Sequence, residues 1–296
     1  MPNVTITHTT SYRYRSVVSL GPHRLMLRPR ETRDLSLTSF DVEISPEASI
    51  DWSHDVAGNT IATARFDAMV EALTIRSRTR VELRAPVWPV FPIAAEAASY
   101  PFEYSADDLT DLGALVVPQY VDNAGRLQRW VEGFVMGRPT DTLSLLKDIG
   151  NGVTAEISYE ARETEGTQGP LETLERGCGS CRDFAVLFAE AVRTLGFGAR
   201  LASGYLFDAS GGHLGSAGAG STHAWVEVFI PGAGWISFDP TNRSVGSANL
   251  IPVAVARNKK QVSPVTGCFR GEGNTMPTLD VEVRVENDTS GPARIS

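Results

Sequence analysis

Cysteine is scarce in this 296-residue chain: three residues, too few for a disulfide framework. Long apolar runs are also missing, and no stretch approaches the ~18 apolar residues of a membrane span. Basic clusters are absent too. Lys and Arg number 27 against 35 Asp and Glu, a net charge of −8, which disfavours nucleic acid or an anionic membrane as partner. The opening "MPNVTITHTT" has no charged start followed by an apolar segment, so no secretory signal is expected. These absences predict a cytoplasmic protein without membrane attachment. No internal repeat is visible. What is present is a globular composition, 42% hydrophobic and 21% charged, with ample material for a core. The length suits one large or two ordinary domains.

Residues 4–83 read almost entirely as strands. Val4 and Ile6 fall on one side of the first run, Leu35 and Leu37 alternate, and so do Phe40, Val42 and Ile44. Leu73 and Ile75 are set against Arg76, Arg78 and Arg80. This is the period-two pattern of half-buried strands, and turn chemistry in "SLGPH" and "DVAGN" separates the runs. Several short strands with turns between them predict an antiparallel β-sandwich over residues 1–85. Arg13, Arg15, Arg24, Arg28 and Arg30 read as solvated strand faces. Next, "RAPVWPVFPI" places prolines at 86, 89 and 92, a spacing that suits an extended linker. Residues 86–100 are taken as that linker, with Trp88 and Phe91 packing across it.

Beyond the linker the period changes. Leu127, Trp130, Val131, Phe134 and Val135 share one helical face; Leu143, Leu146, Ile149 and Val153 share another, behind a Thr140-Asp141 start signal. After Cys181, the residues Phe184, Leu187, Phe188, Ala191, Val192 and Leu195 have the spacing of a buried helix, stopped by Gly196. Strands follow in "ARLASGYLF", "HAWVEVFI" and "GWISFD", then weaker ones. Helices followed by consecutive strands predict an α+β core over residues 101–270, with a C-terminal strand and tail over 271–296.

Two of the cysteines stand as "CGSC" at the start of the buried helix. A redox pair would suit a helix N-terminus, but that motif belongs after a buried strand in a βαβ setting, and here "PLETLERG" is polar. A zinc site needs two more ligands; Cys268 is isolated, and His223 and Asp239 would complete an uncommon structural set with Cys178 and Cys181. A nucleophile needs a base and something to orient it. His213 lies in the Gly/Ser-rich run from Asp208 to Ser221, which reads as a mobile loop bordering the site. His223 opens a patterned strand, and Asp239 closes the next one. If Phe229 lies opposite Trp235, counting back pairs Trp225 with Asp239 and puts His223 diagonally across on the same face. Diagonal neighbours are about 7–8 Å apart at the backbone, within side-chain reach. A one-residue slip would break the arrangement.

"GSCRDFAVLFAEAVRTLGFGARLASGY" followed by "THAWVEVFIPGAGWISFDPTN" resembles the bacterial transglutaminase-like superfamily: a Cys leading a helix, a His opening a strand, an Asp ending a strand before Pro. "YRYRSVVSLGPHRLMLRPR" is similar to the β-rich domain that precedes the core in the same group. The resemblance implies a papain-like core, a Cys helix packed on an antiparallel sheet carrying His and Asp. It implies Cys181 as nucleophile, His223 as base and Asp239 as its orienter, with Gly204 and Tyr205 supporting the site. The implied activity is thiol-dependent acyl transfer on a peptide or protein amide, hydrolysis being the less demanding outcome. Glutamine crosslinking is the alternative, as is a non-catalytic scaffold whose N-terminal sandwich binds a protein. No cofactor or metal is expected. Cys178 reads as a small buried residue, and Asp183 as a carboxylate in the first helical turn, favourable to the dipole.

Overall fold

Alternation organises the first third of the chain. In the strand Met69–Leu83, the residues Leu73, Ile75, Val81 and Leu83 are buried while Arg76, Arg78 and Arg80 are exposed. The computed structural model describes residues 2–161, 166–208, 222–271 and 277–288. It is a mixed α/β molecule, mostly strands with few helices. The N-terminal strands are β1 (Asn3–Leu20), β2 (His23–Leu25), β3 (Leu35–Ser45), β4 (Ser49–His54), β5 (Thr60–Arg65) and β6 (Met69–Leu83). One antiparallel sheet carries β1, β6 and β3; the other carries β2, β5 and β4. The two share a core built from Val18, Leu20, Leu73 and Ile75 on one side and Leu25, Ala62 and Ala64 on the other.

The helices are α1 (Ala106–Leu112), α2 (Arg126–Glu132), α3 (Thr142–Glu156), α4 (Pro170–Arg176) and α5 (Cys181–Thr194). Asp141 caps α3 by accepting from the Ser144 N–H at 2.7 Å, as the start signal predicts. Helix α2 is shorter than its periodicity suggests. It ends at Glu132, before Gly133, a poor helix former, and Phe134 and Val135 pack against the core from beyond its end. The second set of strands is β7 (Ala199–Leu206), β8 (Thr222–Ile230), β9 (Gly234–Asp239) and β10 (Leu250–Ala256). They form one antiparallel sheet in the order β9-β8-β7-β10, with Ser244–Val245 added at the β9 edge.

Both faces of this sheet are covered. Val226, Val228, Ile230, Ile236 and Phe238 meet α2, α3 and α5 in the largest core. Tyr205, Ile251, Val253 and Ala254 join Val4, Ile6, Val81 and Leu83 of the N-terminal strands in a second core. Double coverage explains why every residue of β10 is buried, in a segment whose sequence carries no alternation. At the same junction, His8 Nδ1 lies 2.9 Å from the Tyr205 hydroxyl and its Nε2 lies 3.0 Å from Thr10 Oγ1. Burial lowers the His8 pKa to about 4, so this bridge is made by a neutral ring.

Two expectations change. Trp88 does not pack across the linker: it is 88% exposed, and Phe91 alone of the two meets the core. The chain also returns to the N-terminal sheets before residue 270. Val265–Thr266 pairs with β2, Phe269–Arg270 with β1, and β11 (Thr278–Asn287) with most of the length of β1. Edge strands need partners, and β1 takes its second one from the far end of the chain. No helix among the described residues is long and apolar enough to cross a membrane.

Candidate active site

Cys181 is the first residue of α5 and is 7% exposed. The helix starts here because Asp183, buried in its first turn, turns back on Ser180. Its Oδ2 accepts from the Ser180 N–H at 2.8 Å and the Ser180 hydroxyl at 2.9 Å, while Oδ1 accepts from the Gln168 N–H at 2.8 Å. That reach from the third helical residue to the cap is half of a capping box, and it locks the turn that presents the thiol. The helix is then anchored by Phe184, Leu187, Phe188 and Val192, all fully buried. Leu195 is only partly buried, at the end where the helix emerges.

Just before α5, Cys178 and Gly179 pair in parallel with Ser158 and Tyr159. Cys178 is half-buried rather than buried. A hydrogen bond to Glu160, followed by burial, pushes its thiol pKa up. Cys178 and Cys181 are both free thiols. Tyr159 lies edge-on to Phe184 with ring centres 6.0 Å apart. Its pKa is raised, first by burial and then by the charges of Cys181 and Asp239.

The hairpin of β8 and β9 has the register counted from sequence: Phe229 opposes Trp235, and Val226 opposes Phe238. The result is a hydrogen bond of 2.8 Å between His223 Nε2 and Asp239 Oδ2, both side chains fully buried. Asp239 is saturated. Oδ1 accepts from the Thr241 N–H at 3.0 Å and the Asn242 N–H at 3.3 Å, and Oδ2 also accepts from Asn242 Nδ2 at 2.8 Å. With a carboxylate as acceptor, Nε2 of His223 carries the hydrogen. The other ring nitrogen, Nδ1, is buried and makes no hydrogen bond of ordinary geometry. Cys181 is nevertheless close enough to strengthen the ring's hold on a proton.

Burial opposes the charged imidazole, but Asp239 and Cys181 outweigh it through hydrogen bonding and charge, and raise the His223 pKa to about 10. Burial likewise opposes the Asp239 carboxylate, yet His223 and the Asn242 donors hold its pKa below the usual range. The three residues are therefore brought together as a cysteine, an imidazole ring that keeps its proton through neutral pH and an ionised carboxylate. Among the described residues, no group of three or more His, Cys, Asp or Glu could hold a metal ion. His213 and all but Asp208 of the Asp208–Ser221 run lie outside the described residues.

Sequence reasoning gave no site role to two neighbours, Asn242 and Trp225, and named a third, Gly204, without its reason. Asn242 holds Asp239 from the turn after β9; its signal is an amide three residues beyond an Asp in "DPTN", where such side chains close turns. Trp225 stacks on His223 at 6.1 Å between centroids and 25° between planes. Gly204, opposite His223 in β7, has no room for a side chain: a Cβ would lie 2.0 Å from the Ile251 carbonyl oxygen and 2.8 Å from the Trp225 ring. Gly204 thus allows a close approach of β7 to Ile251 and Trp225, while Tyr205 reaches His8 at the junction with the N-terminal strands.

Residues 4–82 match the bacterial transglutaminase-like N-terminal region, and residues 128–240 match the transglutaminase-like superfamily. The chain belongs to the bacterial transglutaminase-like superfamily. It is similar to an uncharacterized protein of Mycobacterium tuberculosis, 27% identical across 94% of this chain and 91% of that one. An uncharacterized protein of Mycobacterium leprae is 35% identical over a shorter stretch, 44% of this chain and 46% of the other. The fold is shared with a crystal structure from Cytophaga hutchinsonii, provisionally described as that of a cysteine protease. Its TM-score is 0.72 and its identity 18%, covering 98% of this chain and 92% of that one.

Proposed function

We propose that the protein is a thiol-dependent acyl-transfer enzyme acting on an amide or peptide bond, with hydrolysis as its main outcome: a cysteine peptidase or amidase. The observation that carries this reading is the buried His223–Asp239 hydrogen bond, which leaves Nδ1 as the free ring nitrogen beside Cys181 at a helix N-terminus. Family membership supports it. The same reading takes the two N-terminal sheets as a β-sandwich and the helices with the β7–β10 sheet as a papain-like core.

The chemistry follows from the hydrogen-bond roles. His223 holds the proton of Cys181 on Nδ1 as an imidazolium stabilised by Asp239, which leaves the cysteine as the thiolate. The thiolate attacks the amide carbonyl, and His223 returns the proton to the leaving amine as the C–N bond breaks. The thioester is then attacked by water, with His223 again accepting a proton, and the acid leaves with Cys181 restored. The backbone N–H of Cys181, at the first position of α5, is a candidate donor to the oxyanion. Water is present at ~55 M without dedicated recognition, whereas an amine acceptor must be held to compete. Hydrolysis is the less demanding fate.

The test is a peptide-amide library presented to the wild type and Cys181→Ala with excess primary amine. Release of free acid, lost in Cys181→Ala, supports hydrolysis. Predominant amine incorporation would replace it with crosslinking. Absence of both, together with a Cys181 that alkylates no faster than Cys268 near neutral pH, would favour a binding scaffold.

A further inference from the structure

A cavity of about 270 Å³ lies on the face of the β7–β8–β9 sheet turned towards the N-terminal strands. Its walls come from both halves of the chain: Asp34 and Leu35 from the N-terminal region, Arg200, Trp225, Glu227 and Trp235 from the sheet. At ~30 Å³ per water it has room for a molecule of about nine or ten non-hydrogen atoms. Packed interiors hold few voids larger than a water, so a space of this size needs an account.

Its polar groups are arranged rather than scattered. The Arg200 guanidinium sits over Trp235, 4.1 Å from the ring centre, and pairs with Glu227 at 2.7 Å. Asp34 adds a second carboxylate, 37% exposed and only loosely paired with the exposed Arg33 at 3.9 Å. Trp225 is fully buried, and its indole N–H has no hydrogen-bond partner. An orphan donor buried to this degree is uncommon in native proteins. A cavity with two carboxylates and one guanidinium fits a ligand that brings a cation at one end and an oxygen acceptor at the other. Leu35 and Trp235 give the space between them an apolar lining.

We propose that this cavity is a small-molecule site, distinct from the Cys181 centre, for an amino-acid-sized compound bearing a protonated amine and a carboxamide or carboxylate oxygen. The amine meets Asp34 and Glu227; the oxygen meets Arg200. Trp225 is also the ring stacked on His223, so the site and the candidate catalytic base share a wall. Binding is read on Cys181→Ala, which cannot turn an amide over, and again after alkylation of wild-type Cys181, so that its outcome is independent of the function proposed above.

The experiment follows tryptophan fluorescence of the full chain, with Trp225 and Trp235 as reporters in the wall. L-Leucinamide, L-leucine and N-acetyl-L-leucinamide are titrated into the millimolar range. Saturable change is expected with the amide, the amino acid or both, and the stronger of them identifies the oxygen group preferred. N-acetylation removes the cation and should weaken binding at least about tenfold, as should Asp34→Asn at the exposed rim. Ser247→Phe, which fills the lining, should abolish it while circular dichroism stays native. If Ser247→Phe does not fold, Asp34→Asn decides alone. No saturation with either amine compound would overturn the proposal, as would saturation indifferent to N-acetylation and to Asp34→Asn.

Discussion

Replacing Asp239 with Asn changes almost no volume, yet it should invert the hydrogen bonding of the site. The carboxylate accepts four hydrogen bonds, from His223, Asn242 (twice) and Thr241. A carboxamide offers one oxygen. If that oxygen stays on the backbone N–H groups of Thr241 and Asn242, the new NH₂ faces two donors, His223 Nε2–H and Asn242 Nδ2–H. The ring relieves the clash by moving its hydrogen to Nδ1, so that Nε2 accepts from the introduced amide. Nδ1 then presents a hydrogen to Cys181 and can no longer take one. The stability cost is the charge-assisted bond to His223, about 1.5–3 kcal/mol, plus roughly 1–3 kcal/mol for the stranded Asn242 amide. The fold survives a loss of that size at moderate temperature. Activity should not: a carboxylate-to-amide exchange that flips the tautomer in a serine-protease triad lowers kcat by ~10⁴. Imidazole ¹⁵N shifts report the tautomer directly, alkylation of Cys181 at neutral pH reports its activation, and kcat/KM on a peptide amide reports the consequence. A variant that keeps hydrogen on Nε2, alkylates as fast as wild type and retains activity within about tenfold would refute the reasoning.

Leu187→Ala removes a fully buried side chain from α5 and should cost about 2–5 kcal/mol by denaturant titration. Glu190→Ala should cost about 3–5 kcal/mol, because it leaves the buried Arg193 guanidinium without the carboxylate 2.6 Å away; Glu190→Gln keeps most of the hydrogen bonds and should lose less. Gly204→Ala must push β7 from Ile251 and Trp225, costing about 1–3 kcal/mol and lowering activity through His223. On pH, the raised His223 pKa means that its share of stability is complete below about 6.5. That share fades as pH climbs through about 10, while Asp239, with its lowered pKa, loses its share only in acid. The difference in Tm between wild type and His223→Gln should therefore narrow steadily from about pH 7 to about pH 10.

The parts of this structure legible in sequence are those where a local pattern and a long-range partner say the same thing. The β8–β9 hairpin is one: alternation in "HAWVEVFI" and "GWISFD" and a short connection leave a single register, and that register brings His223 to Asp239. The α5 start is another, since Ser180 and Asp183 cap it within their own turn. Periodicity alone did not choose between redox pair, zinc ligand and nucleophile; the ordered blocks did. What stayed hidden depends on partners that no local pattern encodes. β10 lacks alternation because sheet neighbours and N-terminal strands bury both its sides. β11 alternates strictly in "TLDVEVRVEN" and reads as a strand, but nothing in that pattern names β1, at the other end of the chain, as its partner. Glu190 and Arg193 look like solvated charges on an amphipathic helix, yet each is 1% exposed at the side chain. Glu190 accepts the Gln119 and Tyr120 N–H groups, and Arg193 donates to the carbonyls of Leu115, Ala199 and Arg257. Their i, i+3 spacing in "AEAVR" is compatible with a surface pair, and only the backbone groups converging from distant segments make it an interior one. That ion pair ties α5 to its surroundings at one end, as Asp183 ties it at the other. The thiol at the head of this helix is therefore held by two buried carboxylates that take no part in the proposed chemistry, and position is what each of them supplies.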